Sequence, residues 1–176
     1  MRGDRFVDFG LPRLDLNTGV LGEVMWASAF VGSSEGAAPA TAAAEPSQPS
    51  RRLLLVNFFA TWCGPCFEEL RVLNEWQEQY GTQRLQVLAV NYRLPAESLV
   101  SSIELTRTKV PVDLKIPLLF ERYTSRNQTA YLGESEVVLP ANVLIDASGW
   151  VVHRTHGGQP EVLEELRQII DSRVLE

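Results

Sequence analysis

A short apolar run leads directly into a pair of closely spaced cysteines. Residues 53–59 have the sequence Leu-Leu-Leu-Val-Asn-Phe-Phe, which is typical of a central strand that is buried on both faces. Cys63 and Cys66 follow, and apolar residues then recur at near-helical spacing until Gly81, a residue type that commonly ends helices. These features predict a buried strand, a turn that carries the cysteines, and a helix that begins at them.

The rest of the chain alternates predicted strands and helices. Strands are predicted at 85–91, 116–120, 141–146 and 150–154, and the last two form a hairpin. Pro95 is predicted to open a helix with an apolar stripe of Leu99, Val100 and Ile103. A last helix is predicted from Pro160, with an inner face of Val162, Leu163, Leu166, Ile169 and Ile170. Residues 121–133 fit either helix or loop. This order predicts an α/β fold in which helices flank a central mixed β-sheet.

The N-terminal part of the chain has two compositions. Residues 5–16 place apolar groups around a Gly and a Pro, and residues 20–31 are rich in apolar side chains, so we expect 1–31 to be an N-terminal extension of short strands or a hairpin. From 32 to 50, Ala, Pro, Ser and Gly dominate and no apolar side chain exceeds alanine, so we expect a flexible insertion. We expect one domain over 1–176 whose core is 51–176.

The cysteine count favours redox chemistry. The 176 residues include only two cysteines. A disulfide between residues so close in sequence removes little unfolded-state entropy and is a poor structural staple. The formal net charge of -6 comes without a block of like charge, which argues against nucleic acid or an anionic membrane as a partner. No membrane-spanning run or secretory signal is visible, so we expect a cytoplasmic protein if Met1 is the native start.

The predicted positions of the cysteines divide their roles. Cys63 falls at the start of the helix, where free backbone N–H groups and the helix dipole would stabilise its thiolate. Cys66 lies one turn further and would be shielded. We expect Cys63 to attack a substrate disulfide and Cys66 to resolve the mixed disulfide. Gly64 and Pro65 shape the turn, and Pro65 suits a helix start because it lacks an N–H group.

The segment Trp62-Cys63-Gly64-Pro65-Cys66 resembles the thioredoxin active site. Residues 55–62, and residues 139–146 followed by Gly149, narrow the resemblance to the TlpA/ResA-like branch of the thioredoxin-fold redoxins. The resemblance covers most of residues 51–158. It implies a thioredoxin-like fold and a thiol-disulfide oxidoreductase that reduces protein disulfides.

The resemblance also assigns roles outside the cysteine pair. It implies that Leu139-Pro140 is a cis peptide beside the cysteines and that the backbone of Leu139 pairs with an extended substrate. Asn57 stands where thioredoxins carry a buried acid, and an asparagine cannot exchange a proton. In this branch a glutamate three residues after the second cysteine takes that role, and here it is Glu69. A buried carboxylate with a raised pKa could accept the Cys66 proton during resolution.

The TlpA/ResA-like resemblance further implies partners and location. Members are commonly exported and membrane-tethered, which points to an extracytoplasmic protein. The implied clients are protein thiols and disulfides, such as those of apocytochrome c before haem attachment, and an upstream thiol-disulfide partner supplies the electrons. We expect a monomer without a cofactor.

Other kinds of site fit the sequence less well. A zinc site would need Cys63 and Cys66 together with His153 and His156, but histidines three apart in a strand point to opposite faces. Copper-delivery relatives use a different cysteine spacing, and a peroxidase would need a lone peroxidatic cysteine. The remaining alternative is a non-catalytic binding or assembly module with a stable or vestigial cysteine pair. Trp62 fits either a substrate platform or simple packing.

Overall fold

The computed structural model of the protein describes residues 4–5, 8–31, 52–94, 97–120 and 138–175. Within these residues the chain forms a seven-stranded sheet, three α-helices and one 3₁₀ helix, Ala27–Phe30. The strands are β1 Gly10–Leu14, β2 Leu21–Trp26, β3 Leu53–Phe59, β4 Leu85–Asn91, β5 Leu118–Phe120, β6 Ala141–Ile145 and β7 Val151–His156. The helices are α1 Gly64–Tyr80, α2 Leu99–Lys109 and α3 Pro160–Val174.

The sheet is mixed, as the sequence predicts. Its order is β2-β1-β5-β4-β3-β6-β7. The neighbours β3, β4 and β5 run parallel, and every other pairing is antiparallel. All seven residues of β3 are buried because neighbouring strands flank it on both edges and packed side chains cover both of its faces.

Apolar side chains fill both faces of the sheet. On one face, β3 and β4 pack against α1, α2 and α3, with Leu70 and Leu73 of α1 and Leu166 of α3 completely buried. On the other face, Leu54, Val56 and Phe58 of β3 meet Phe9 and other residues of the N-terminal segment. The predicted N-terminal hairpin is confirmed as β1 and β2, and the segment around it supplies part of the second core.

The last helix largely follows its predicted inner face. Leu166 and Ile170 are buried, and Leu163 and Ile169 are half-buried against the same cluster. Val162 is half-buried outside that cluster. The predicted hairpin is confirmed as β6 and β7, and Gly81 ends α1 with a positive φ of 69°.

The second helix differs from its prediction. It begins at Leu99 and not at Pro95, because the side chain of Ser98 accepts a hydrogen bond from the Ser101 N–H and caps the helix there. Val100 is 69% exposed and does not belong to the inner stripe. Helix geometry explains this, since the buried Ser102, Ile103 and Thr106 centre on the side of the helix where Leu99 lies, and Val100 is rotated by about 100° from Leu99. The predictions for 32–50 and 121–133 lie outside the described residues.

Candidate active site

The two cysteines are joined by a disulfide at the start of α1, directly after the central strand. The chain leaves β3 at Phe59, and the N–H of Cys63 donates to the carbonyl of Ala60 across a tight turn (3.1 Å). Cys63 is the N-cap residue of α1, and Gly64 is the first helical residue. Cys63 retains 5% exposure whereas Cys66 retains none. An incoming thiol or disulfide therefore meets Cys63 first.

Three chain segments meet at the turn that carries the cysteines. Trp62 is 54% exposed, and Gly64 and Pro65 are also exposed. The Leu139-Pro140 peptide is cis, as the resemblance predicts. The surface around the cysteine pair, which we call the rim, thus combines the exposed indole of Trp62, the exposed turn at Gly64 and Pro65, and the edge of the Pro140 loop.

A glycine pair after β7 forms the third segment, and the sequence interpretation missed it. The N–H of Gly157 donates to the carbonyl of Pro140 (2.8 Å). A Cβ atom on Gly158 would lie 2.8 Å from the Cβ of Pro65 and 3.5 Å from the Cδ of Pro140. Only a residue without a side chain allows this approach. The sequence signal for this close approach was the presence of two adjacent glycines directly after the last strand.

Glu69 lies on the same face of α1 as Cys66, one turn further along the helix. It is 2% exposed. Its Oε1 accepts hydrogen bonds from the side-chain amides of Asn57 on β3 (2.9 Å) and Asn142 on β6 (2.8 Å). Asn142 also donates to the Oγ1 of Thr155 on β7 (3.1 Å). We call these four residues the Glu69 cluster.

Burial controls the acidity of Glu69. Loss of solvent raises the pKa of Glu69 from an ordinary value of 4.5 to about 7, although the amides of Asn142 and Asn57 favour the ionised form. The Oε2 atom of Glu69 and the Oδ1 atom of Asn57 are buried without a hydrogen-bond partner. A carboxyl group in this state can exchange a proton near neutral pH.

The turn before Cys63 is fixed from the side of α2. The hydroxyl of Thr61 donates to Glu97 Oε1 (2.6 Å), which also accepts from Ser102 (2.7 Å). The ammonium of Lys109 donates to the carbonyl of Thr61 (2.7 Å) and lies 5.2 Å from the centre of the Phe67 ring. Polar contacts therefore hold the residue two positions before the accessible cysteine.

The two histidines do not join the cysteines. Both His153 and His156 lie on β7, an odd number of residues apart, so their side chains leave opposite faces of the strand. His153 lies beside Glu165, 3.6 Å away. No group of three or more His, Cys, Asp or Glu side chains converges on a metal position in the described ranges. Nor is any helix of those ranges long and apolar enough to span a bilayer.

Known proteins share this sequence and architecture. A model of the AhpC/TSA family matches residues 43–154. The chain belongs to the AhpC/TSA family. Among curated relatives, thiol-disulfide oxidoreductase ResA of Bacillus cereus is 30% identical over 106 residues, which are 60% of this chain and 56% of that protein. ResA of Geobacillus thermodenitrificans is 27% identical over 119 residues, 68% of this chain and 62% of that protein. The match spans less than two thirds of each relative.

Solved structures show the same fold. A Chlorobium tepidum protein described as a thiol:disulfide interchange protein DsbE has a TM-score of 0.68 at 24% identity, covering 99% of this chain and 98% of its own. The lipoprotein thioredoxin Etrx1 of Streptococcus pneumoniae has a TM-score of 0.62 at 16% identity, covering 94% and 99%. These findings confirm the thioredoxin-like fold and the resemblance to ResA-like redoxins.

Proposed function

We propose that the protein is a thiol-disulfide oxidoreductase that reduces protein disulfides through Cys63 and Cys66. The observation that carries this proposal is the unequal environment of the pair. Cys63 is the accessible cysteine at the N-terminus of a helix of 17 residues, whereas Cys66 is fully buried on the same helix face as an acid. The helix dipole and free N–H groups favour a thiolate at Cys63.

The reaction proceeds in two exchanges. The Cys63 thiolate attacks one sulfur of a substrate disulfide, which releases the other substrate sulfur as a thiolate and leaves a mixed disulfide. Glu69 then accepts the Cys66 proton, and the Cys66 thiolate attacks the Cys63 sulfur. The second substrate sulfur leaves as a thiolate that takes up a proton. The substrate has gained two electrons, and an external dithiol must reduce the Cys63–Cys66 disulfide for another turnover.

The rim of the site supports an extended polypeptide as the substrate. Trp62, Gly64 and Pro65 are exposed beside the cis Leu139-Pro140 peptide, and the backbone of Leu139 is the group that we propose to pair with the client. Gly158→Ala tests this surface, because the added Cβ would push against Pro65. Gly22→Ala on β2, at the far edge of the sheet, is the matched control, since the nearest atom to a Cβ there is the carbonyl oxygen of Arg13 at 3.9 Å.

We propose disulfides of extracytoplasmic proteins as clients, including oxidised apocytochrome c, with an upstream thiol-disulfide protein as electron donor. The relatives named ResA and the TlpA/ResA-like motifs support this assignment. We also propose a monomer. Incubating oxidised cysteine-pair peptides of apocytochrome c with the Cys66→Ser protein tests the client, and light scattering after gel filtration tests the monomer.

The central experiment is reduction of insulin by dithiothreitol, combined with trapping of the intermediate. We expect the wild-type protein to accelerate insulin reduction and Cys63→Ser to abolish the effect. Cys66→Ser should accumulate a mixed disulfide on Cys63 that gel electrophoresis without reductant detects. A wild-type protein without turnover, and a Cys66→Ser variant that traps nothing, would favour the non-catalytic binding module instead.

A further inference from the structure

The buried acid is held through only one of its two oxygens. Glu69 Oε1 accepts two amide hydrogen bonds, from Asn57 (2.9 Å) and Asn142 (2.8 Å), whereas Oε2 is buried and has no partner. A buried carboxylate oxygen without a donor is costly. Such an atom calls for an explanation in the chemistry of the site.

The hydrogen bonds fix the orientation of both amides. Asn57 donates its two N–H bonds to Glu69 Oε1 and to Asn142 Oδ1 (2.9 Å). Asn142 donates its two to Glu69 Oε1 and to Thr155 Oγ1. All four N–H bonds therefore lie within the Glu69 cluster, and Oε1 can serve both donors only as an acceptor. Oε2, which accepts no hydrogen bond, is therefore the oxygen left to carry the proton when Glu69 is neutral.

We propose that Asn142 is a positioning residue that, together with Asn57, binds Glu69 through Oε1 and so makes Oε2 the oxygen that takes up and returns the Cys66 proton. This inference rests on the proposed function. Asn142 reaches Glu69 from β6 and is itself held by Thr155 on β7, so two strands outside the redox helix set the orientation of the acid.

No charged group competes for Glu69 in the described part of the chain. The neighbours that bind it are the amides of Asn57 on β3 and Asn142 on β6, and Cys66 shares its helix face. Of the two titratable histidines on β7, His156 points to the opposite face from Thr155. His153 shares the face of Thr155 and lies beside Glu165 of α3, 3.6 Å away. Substitution of these amides can therefore change the pKa of Glu69 without adding or removing a charge.

The test is a titration of the Glu69 carboxyl carbon by NMR in the oxidised protein, where the cysteines cannot titrate. Asn142→Leu removes a donor to the ionised carboxylate, so we expect the titration midpoint to rise by about one pH unit. Thr155→Val leaves both donors to Glu69 in place and should move the midpoint by less than Asn142→Leu does. An Asn142→Leu midpoint equal to that of the wild type contradicts the proposal.

Control variants separate the orientation of Glu69 by Asn142 from general damage to the core. Gln77→Met removes another buried amide of α1, one that binds β4 and not Glu69, and should leave the midpoint unchanged. Asn142→Ser removes the same amide in a smaller side chain and replaces Asn142→Leu where the leucine prevents folding. A Gln77→Met midpoint that moves as far as that of the Asn142 variants would overturn the specific role of Asn142.

A kinetic measurement links the midpoint to resolution. A mixed disulfide between Cys63 and a chromophoric thiol is prepared, and release of that thiol is followed against pH. We expect the Asn142→Leu profile to shift to alkaline pH by the same amount as its NMR midpoint. A wild-type protein that releases no thiol would contradict the proposed function and the proton transfer with it. If Asn142→Leu releases the thiol with the same pH profile as the wild type, the positioning role of Asn142 is contradicted but the proposed function is not.

Discussion

Helix α1 carries two buried polar clusters with opposite character. One lies near the helix C-terminus, where Gln77 donates to the carbonyl of Leu85 (2.8 Å) and accepts from the N–H of Val87 (2.8 Å). We call Gln77, Leu85 and Val87 the Gln77 cluster. The Glu69 cluster lies two turns earlier and is built from side chains alone. Both are almost fully buried.

The Gln77 cluster has a complete structural explanation. Strand β5 pairs only with Ala89–Asn91 of β4, so the start of β4 has backbone groups that β5 does not reach. Gln77 satisfies the groups of Leu85 and Val87 there, and neither of its own polar atoms is left without a partner. It contains no group that titrates.

The Glu69 cluster has no such explanation. It buries an acid and leaves Glu69 Oε2 and Asn57 Oδ1 without partners. Unsatisfied buried atoms cost about 1–3 kcal/mol each, so a cluster with only a structural role would be expected to pair them. The comparison teaches that burial of polar groups alone does not mark a functional site. We propose that an unpaired, titratable oxygen on the same helix face as a buried cysteine does.

The largest expected effect is a pH-dependent loss of stability from Glu69. The pKa of Glu69 is 4.5 ordinarily and about 7 in the fold, so the unfolded chain loses this proton first and stability falls as pH rises through this window. Below pH 4.5 the penalty is absent, and above pH 7 it is on the order of 3 kcal/mol. Chemical denaturation of the oxidised protein should therefore show Glu69→Gln gaining stability relative to the wild type with rising pH. If the difference in stability between Glu69→Gln and the wild type stays constant with pH, the Glu69 cluster does not differ from the Gln77 cluster in its dependence on pH.

A smaller, pH-independent effect is expected from the Gln77 cluster. Gln77→Met keeps the volume but leaves the Leu85 carbonyl and the Val87 N–H unpaired, which should lower the free energy of unfolding by about 2 kcal/mol at every pH. Insulin reduction at a temperature where the variant is folded should be unchanged. A loss of redox activity without loss of fold would show that the Gln77 cluster also serves the site.

The smallest effect is expected from the acid next to Glu69. Glu68 is exposed and pairs with Arg71 one turn away (2.8 Å), so Glu68→Gln should change stability by less than about 0.5 kcal/mol. Denaturation and insulin reduction should both match the wild type. A pH-dependent change equal to that of Glu69→Gln would show that burial is not what distinguishes the two acids.

Local pattern was sufficient to predict the elements that carry the cysteines. The apolar run 53–59 became β3, Cys63 and Gly81 became the caps of the helix that follows, and the resemblance placed the cis peptide at Pro140. Each of these depends on a few neighbouring residues. The start of α2 was misplaced because Pro95 and Ser98 are both helix-start signals, and the side-chain cap of Ser98 decides between them.

The remaining site residues depend on register between distant strands. Asn142 is 73 positions from Glu69, and it reaches the acid because Asn142 pairs with Asn57 across β3 and β6. A register shifted by one residue would turn Asn142 to the other face of the sheet. Sequence pattern does not specify that register, and the same holds for the approach of Gly158 to Pro65.

Release of a chromophoric thiol from a mixed disulfide on Cys63, followed against pH in the wild type and in Glu69→Gln, tests the central claim most directly. The wild-type rate should rise with a midpoint near the Glu69 pKa of about 7. Glu69→Gln should lose that midpoint and resolve about 100-fold more slowly at neutral pH. Equal rates and equal profiles in the two proteins would contradict a role for Glu69 as the proton acceptor of Cys66.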